Sequence, residues 1–338
     1  MGDTETKFRL AVIIPVRDEE RFLDQTLDQL YLQDFPMDSL EVAVVDGGSR
    51  DRTRGIAESF KSRFGSLKVL DNPRRISSSG RNIGVQHTTA PYIVFLNGHT
   101  YIPSKNFLKD IIATFEATGA DCLCRARPLT PPDINEFEWA VAVCRGSALG
   151  HNPVSQAYTD FEGYVDPTST GAMYRREVFT KVGLFDEAFD ICNDVEFNHR
   201  VRIFGLKSYL SPKLKVFHYP RGTIQSLWNQ MTRIGAGRFN FTQKHQIFSP
   251  LQWFAGLAVL FLALMLVLSL VSSPVAEVLR TMLAFYILIV VLFSLVLSLR
   301  EKRIGCLLYG PVIFPAIHFG LGVGFLKGMA GKFHEADS

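Results

Sequence analysis

At 338 residues, 47% of them hydrophobic, the chain is long enough for one large domain or two ordinary ones with a true core. A formal net charge of +3 is too weak to argue for nucleic acid as a partner. Five cysteines, odd in number and without C-x-x-C spacing, argue against a disulfide scaffold or a zinc site and for a reduced cytosolic domain.

Phe8 to Pro15 reads as a first buried strand, followed by a polar loop, Val16-Arg17-Asp18-Glu19-Glu20. No secretory leader is recognisable, because this apolar run is short and ends in charge, so the globular part is expected to stay in the cytosol. Phe22, Leu23, Leu27, Leu30 and Tyr31 recur near helical spacing until Pro36. Within the stretch that starts at Leu40, Val42 to Val45 is a mostly β-branched run without polar interruption, as in a strand buried on both faces of a parallel sheet. It delivers Asp46 into the turn Gly47-Gly48-Ser49. An acid at the carboxyl end of such a strand can meet a ligand, and it can equally cap the next helix. The strand, helix and strand form a βαβ unit with a right-handed crossover.

A helix is expected from about Asp51 to Phe64 and a strand from Leu67 to Asp71. The segment from Asn72 to Asn82, which includes Arg74, Arg75 and Arg81, can offer cations and backbone N–H groups to phosphate, or form a solvated loop leading into a helix. Tyr92 to Leu96 reads as another buried strand, and it too ends in a polar turn, Asn97-Gly98-His99-Thr100. The repetition of this arrangement favours function over ordinary turn chemistry. From Asp121 to Asp166 no element can be placed. A strand over Gly171 to Arg175 and a helix near Glu177 to Val182 follow. Asp194 then stands at the start of a further helix, where a carboxylate is favoured electrostatically and where capping is its alternative role.

The apolar excess lies mainly after Pro250. Leu251 to Val271 and Thr281 to Leu299 carry no charged residue, and each is near the roughly 20 residues that cross a hydrocarbon core. The stretch from Ile304 to Leu326 is also uncharged, but its glycines, Pro311 and Pro315 predict a kinked or re-entrant segment. Arg300, Lys302 and Arg303 put the large domain inside by the positive-inside rule. The run from Trp228 to Phe239, basic and apolar, reads as an interfacial helix on anionic lipid heads. The expected division is therefore a domain over residues 1–245, whose last part (228–245) is interfacial, and a membrane domain over 246–338.

Several pieces together carry a resemblance: Ile14 to Glu20, Val44 to Thr53, Phe95 to Thr100, Gly183 to Phe189, and Asn193 to Arg202. In this order and spacing, from roughly Phe8 to His245, they resemble a family 2 glycosyltransferase of the GT-A fold, an α/β domain with a mostly parallel sheet. The Asn97 turn, the Tyr219-Pro220-Arg221 step and the stretch from Gln230 to Arg238 resemble the membrane-bound succinoglycan-type glucosyltransferases of exopolysaccharide synthesis. A processive synthase would need a Q-x-x-R-W motif, whereas Gln230-Met231-Thr232-Arg233 is followed here by Ile234.

What the resemblance implies is an inverting transfer from a nucleoside diphosphate sugar, a UDP-sugar in the first instance, to a lipid-linked acceptor at the inner membrane. Asp46 would hold the uracil or ribose, with Pro15, Arg17, Glu19, Arg81 and Asn97 lining the nucleotide pocket. His99 and His218 would reach a divalent metal, Mn²⁺ or Mg²⁺, and Asp194 would be the general base. Arginine pairs with phosphate in two-pronged geometry, which makes Arg233 and Arg238 candidate diphosphate clamps. Asn97 and His99 stand where the family's D-x-D turn has acids, and Asn193 stands where an acid often precedes the base. Two alternatives remain: a polyprenyl-phosphate glycosyltransferase resembling dolichol-phosphate-mannose synthase, and a non-catalytic membrane scaffold that keeps the nucleotide-sugar fold.

Overall fold

The structure, a computed structural model, describes residues 7–150 and 160–331. It divides into two compact units, the first from residues 1–131 and 155–219, the second from 132–154 and 220–338.

The first unit is built on an eight-stranded sheet. Four strands run parallel at one side: β1 (Leu10–Val16), β2 (Leu40–Asp46), β3 (Leu67–Asp71) and β4 (Tyr92–Phe95). β5 (Thr100–Tyr101) leaves the sheet to pair with β10 (Phe217–His218). The remaining strands are β6 (Cys122–Cys124), β7 (Gly163–Tyr164), β8 (Gly171–Arg175) and β9 (Ser208–Leu210), and the sheet order is β3-β2-β1-β4-β8-β6-β9-β7. Only β8 and β7 run antiparallel to their neighbours, so the sheet is mostly parallel.

β1 shows why these residues make a central strand. Leu10, Val12, Ile14 and Val16 point into a core shared with α1 (Leu23–Tyr31), α2 (Thr53–Ser59) and α4 (Phe107–Thr118). Ala11 and Ile13 point the other way, toward α3 (Ser77–Gln86), α6 (Glu177–Val182) and α7 (Asn193–Ile203). Both faces are covered, which is what an uninterrupted apolar run demands. α3 approaches β1 closely: a Cβ on Gly84 would lie 2.3 Å from Ile13, and one on Gly80 would lie 3.2 Å from Pro15. The chain runs outward from β1 through β2 to β3 and then crosses to β4 on the other side of β1. That reversal opens a crevice at the carboxyl ends of β1, β2 and β4, where open α/β sheets take ligands.

The second unit is helical. It comprises α5 (Glu136–Gly146), α8 (Ile224–His245), α9 (Pro250–Ser269), α10 (Ser273–Glu301) and α11 (Gly305–Met329). The last three are long and apolar enough to cross a membrane. α11 is one continuous helix with Pro311 and Pro315 inside it, and it is long and apolar enough to span. Its glycines are packing surfaces: a Cβ on Gly324 would lie 2.0 Å from the Thr232 carbonyl oxygen of α8, and one on Gly320 would lie 2.8 Å from Met231. Small residues let helix backbones touch where apolar burial cannot drive association. α5 is held to the start of α11 by Arg303, which pairs with Glu136 at 2.5 Å and lies 4.3 Å from the Trp139 ring centroid. The contacts thus group α5 and α8 with these three long apolar helices, where the sequence puts the division at 245.

Candidate functional site

The loops after β1 and β2 are stitched together by their own polar groups. Asp18, at φ +53°, donates its N–H to Ser49 Oγ at 3.0 Å and accepts from the Arg50 N–H at 2.7 Å. Glu19 N–H donates to Thr53 Oγ1 at 2.7 Å, and Glu20 N–H to Asp51 at 3.1 Å. Asp46 is buried at the end of β2 and accepts from the N–H and the hydroxyl of Ser49, at 3.0 and 2.6 Å. Its second oxygen lies 3.7 Å from Arg54. Arg17 lies over Gly47, whose missing side chain leaves it room. Asp46, Arg17 and Glu19 therefore share one rim of the crevice, with Pro15 beneath it on β1.

The β4 turn forms the next wall. Gly98 lets it close on the β1 loop, since a Cβ there would lie 3.0 Å from Glu19. Glu19 Oε1 accepts from His99 Nδ1 at 2.7 Å. A carboxylate on one ring nitrogen fixes the tautomer and leaves Nε2 to act as a ligand, the arrangement common around metal-bound histidines. His218 arrives on β10, opposite Thr100 of β5, and its ring meets His99 edge to face at 5.9 Å. Phe22 stacks on Tyr219 at 4.5 Å and backs the pair.

The line of contacts runs on to Asp194. His218 N–H donates to the Pro128 carbonyl at 3.1 Å, and Val216 N–H to Ala126 at 3.4 Å, which fixes the extended segment that carries Arg127. Arg127 Nη1 is 3.5 Å from Asp194 Oδ2. α7 begins at Asn193, just after Cys192 at φ +61°. Such backbone on a non-glycine residue persists only where its surroundings hold it, and it concentrates at functional sites. One turn further along α7, Asn198 accepts from the Tyr174 hydroxyl at 2.7 Å and donates to the Gly171 carbonyl at 3.0 Å, which locks the helix to β8.

α3 corrects one expectation. The segment from Asn72 to Asn82 is not an open phosphate cradle: the Ser77 N–H donates to Asp190 at 2.6 Å, and Arg74 pairs with Glu187 at 2.6 Å. These bonds instead anchor the loop before α7, together with Asn82, which exchanges hydrogen bonds with the Phe185 backbone. Arg81 turns inward and lies 5.3 and 5.1 Å from the ring centroids of Phe95 and Phe185. Burial lowers its pKa, and the nearby Asp194 partly offsets this.

Asp46, His99, His218 and Asp194 are thus linked through neighbouring contacts within the first unit, together with Pro15, Arg17, Glu19 and Arg81; Asn97 stands in the same turn as His99, its N–H donating to Thr100 Oγ1 at 3.2 Å. Arg233 and Arg238 lie on α8 of the second unit. Arg125 and Arg127 escape the sequence reading, because they follow a strand only three residues long in a region with no clear period.

Among the described residues no group of three or more His, Cys, Asp or Glu is placed to hold a metal ion. The two imidazoles of this wall are His99, oriented by Glu19, and His218, and imidazole is a common ligand of divalent ions such as Mn²⁺.

A family model described as "Glycosyl transferase family 2" matches residues 11–183, just over half of the chain. The succinoglycan biosynthesis protein ExoA of Rhizobium meliloti is 28% identical over 273 residues, covering 80% of this chain and 81% of that protein. A dolichyl N-acetyl-alpha-D-glucosaminyl phosphate 3-beta-D-2,3-diacetamido-2,3-dideoxy-beta-D-glucuronosyltransferase of Methanococcus voltae is 22% identical over 332 residues, covering 95% and 97%. The structure of the mannosyltransferase PcManGT from Pyrobaculum calidifontis, in complex with GDP-Man and Mn²⁺, matches at TM-score 0.62 with 18% identity, over 97% of this chain and 89% of that one. With the sheet reversal, the stitched loops and the Asp194 helix already in place, the match adds the family: this chain belongs to glycosyl transferase family 2, a glycosyltransferase of the GT-A fold followed by three helices long and apolar enough to span a membrane.

Proposed function

We propose that the enzyme moves a sugar, with inversion, from a nucleoside diphosphate sugar, a UDP-sugar in the first instance, to a lipid-linked glycan acceptor. The work would take place at the cytoplasmic face of the inner membrane, during exopolysaccharide or cell-envelope glycan synthesis. The single observation that supports this most is the unbroken line of contacts from Glu19 through His99 and His218 to Arg127 and Asp194.

In this reading Asp46 accepts from the uracil or ribose, while Pro15, Arg17, Glu19, Arg81 and Asn97 line the nucleotide. Asp194 takes the proton of the acceptor hydroxyl as its oxygen attacks the anomeric carbon and the bond to the diphosphate breaks. Arg127 lies beside it at 3.5 Å. His99 and His218 hold the divalent ion which, when bound, supplies positive charge to the departing diphosphate. The names of the Rhizobium and Methanococcus relatives support a glycan pathway, and the second of them supports a lipid-phosphate-linked acceptor.

The test is nucleotide release by the full chain in detergent, given a lipid extract and a panel of UDP- and GDP-sugars. One donor should stand out, and its turnover should need the extract. Release from no donor, or equal release without any lipid, would end the proposal.

A further inference from the structure

The buried residues of α1 are Leu23, Thr26, Leu27 and Leu30. Three are the leucines expected in a core, and Thr26, only 1% exposed, is the exception. A buried helical threonine commonly turns its hydroxyl back to the carbonyl four residues earlier. That carbonyl, of Phe22, already accepts from the Thr26 N–H at 3.0 Å, and the hydroxyl instead leaves the helix. It donates to the Gly98 carbonyl at 2.8 Å and is shared with the Thr100 carbonyl at 3.0 Å. These two carbonyls belong to the residues on either side of His99. A hydroxyl in a core position costs free energy unless it is bonded. Valine would fill the same volume without that cost, so the bond accounts for the residue.

The neighbours of Thr26 on the same helix hold the rest of the β5–β10 ribbon. Gln29 Oε1 accepts from the Ile102 N–H just after β5. Phe22 and Gln25 hold Tyr219, the residue after His218, by stacking and by accepting from its hydroxyl at 3.0 Å. Phe22, Gln25, Thr26 and Gln29 are spaced i, i+3, i+4 and i+7, which puts them on one helix face. That face therefore supports both strands of the ribbon, where Thr100 pairs with His218. Glu19 orients the His99 ring but does not place its backbone, and Thr26 does. We propose that Thr26 is a positioning residue for His99: its hydroxyl clamps the peptide groups on both sides and sets the imidazole against His218 as a shared divalent ion requires. This rests on the metal role given to the two histidines above and names the residue that sets their geometry.

The test uses the full chain in detergent with UDP and reads Mn²⁺ uptake as loss of the free-ion signal in electron paramagnetic resonance. Thr26→Val keeps the shape and removes the donor, and it should raise the Mn²⁺ concentration at half-uptake about tenfold, the scale of losing an outer support of a metal ligand. Thr26→Ser keeps the hydroxyl and should restore the wild-type value. Gln33 supplies the comparison for a merely structural role, since it bonds the Ser104 carbonyl at 2.9 Å and the Leu108 N–H at 3.3 Å, beyond the ribbon. Gln33→Met should lower the unfolding temperature and leave Mn²⁺ uptake as it was. If Thr26→Val does not fold, Thr26→Cys, a weaker donor, takes its place, with a shift in the same direction. An unchanged midpoint in the folded Thr26 variant, or an equal shift in Gln33→Met, overturns the positioning role. Failure of the metal reading shows separately, in the wild type: uptake no greater than that of His99→Ala would end the metal role of the histidines and this proposal with it.

Discussion

The seam between the β1 and β2 loops in the first unit and the seam between α8 and α11 in the second solve the same problem by opposite means. The loop seam is a run of hydrogen bonds among Asp18, Ser49, Glu20 and Asp51, each group answering one across from it. The helix seam has backbones nearly in contact, with Gly320 and Gly324 removing side chains that would hold Met231 and Thr232 away. Beside water, polar groups must be matched and the match sets geometry. Where apolar burial gives no preference, shape alone selects the partner. The two seams therefore respond differently to substitution, and only the first unit carries the proposed chemistry.

The largest effect tests that last point. Asp194→Asn should lower turnover by about 10²–10⁴-fold while leaving UDP affinity unchanged, since only the proton acceptor is removed. Nucleotide release and UDP calorimetry on the same sample check both halves. Near-normal turnover would favour the lipid-phosphate acceptor, which needs little help from a base.

Next comes the helix seam. Gly324→Ala puts a methyl group 2.0 Å from the Thr232 carbonyl, so α8 and α11 must separate. A loss of about 1–3 kcal/mol is expected from overpacking, read as a lower unfolding temperature in detergent. Any surviving activity should keep the wild-type nucleotide affinity. A variant that kept its stability and lost nucleotide binding would break the comparison, because the glycine face would then be serving the chemistry.

Asp46→Ala should weaken UDP binding by about 1–3 kcal/mol, the size of a buried hydrogen bond lost. Calorimetry checks it, and unchanged affinity removes Asp46 from the nucleotide pocket.

How far the sequence reveals all this follows the same division. β3 is legible to the residue, and β2 is legible from Val42 to its end at Asp46, because a mostly β-branched run that stops at a glycine turn has few other uses. The turn at Asn97 is legible because it repeats the pattern at Asp46. α4 goes unread although Phe107, Leu108, Ile111, Ile112 and Phe115 recur at helical spacing, so the signal is present. α5 also has one, the Asn135 and Glu138 capping box. Arg125 is different. Its burial against the Phe95 carbonyl arises only on folding, and no local pattern announces that. The glycines of α11 mislead for a related reason: in water they signal a break, whereas here they are the contact.

The smallest effect separates the two seams by pH. Asp51 accepts from the Thr53 hydroxyl and N–H and from the Glu20 N–H. Burial works against its charge, but these hydrogen bonds outweigh it and hold its pKa below the ordinary 3.8. A depressed carboxyl pKa stabilises the fold above the unfolded value, and that stability fades as pH falls through the folded value. Asp51→Asn should therefore be less stable than the wild type at neutral pH, by at most about 1 kcal/mol given solvent screening. The gap should close as the pH drops below about 4, where the wild-type carboxyl takes up its proton. Gly324→Ala alters no titrating group, so its deficit should stay constant across the same range. Unfolding temperatures of the three proteins between neutral and acid pH provide the measurement. A Gly324→Ala deficit that moved with pH, or an Asp51→Asn deficit that did not, would undo the distinction between a seam made of charge and one made of shape.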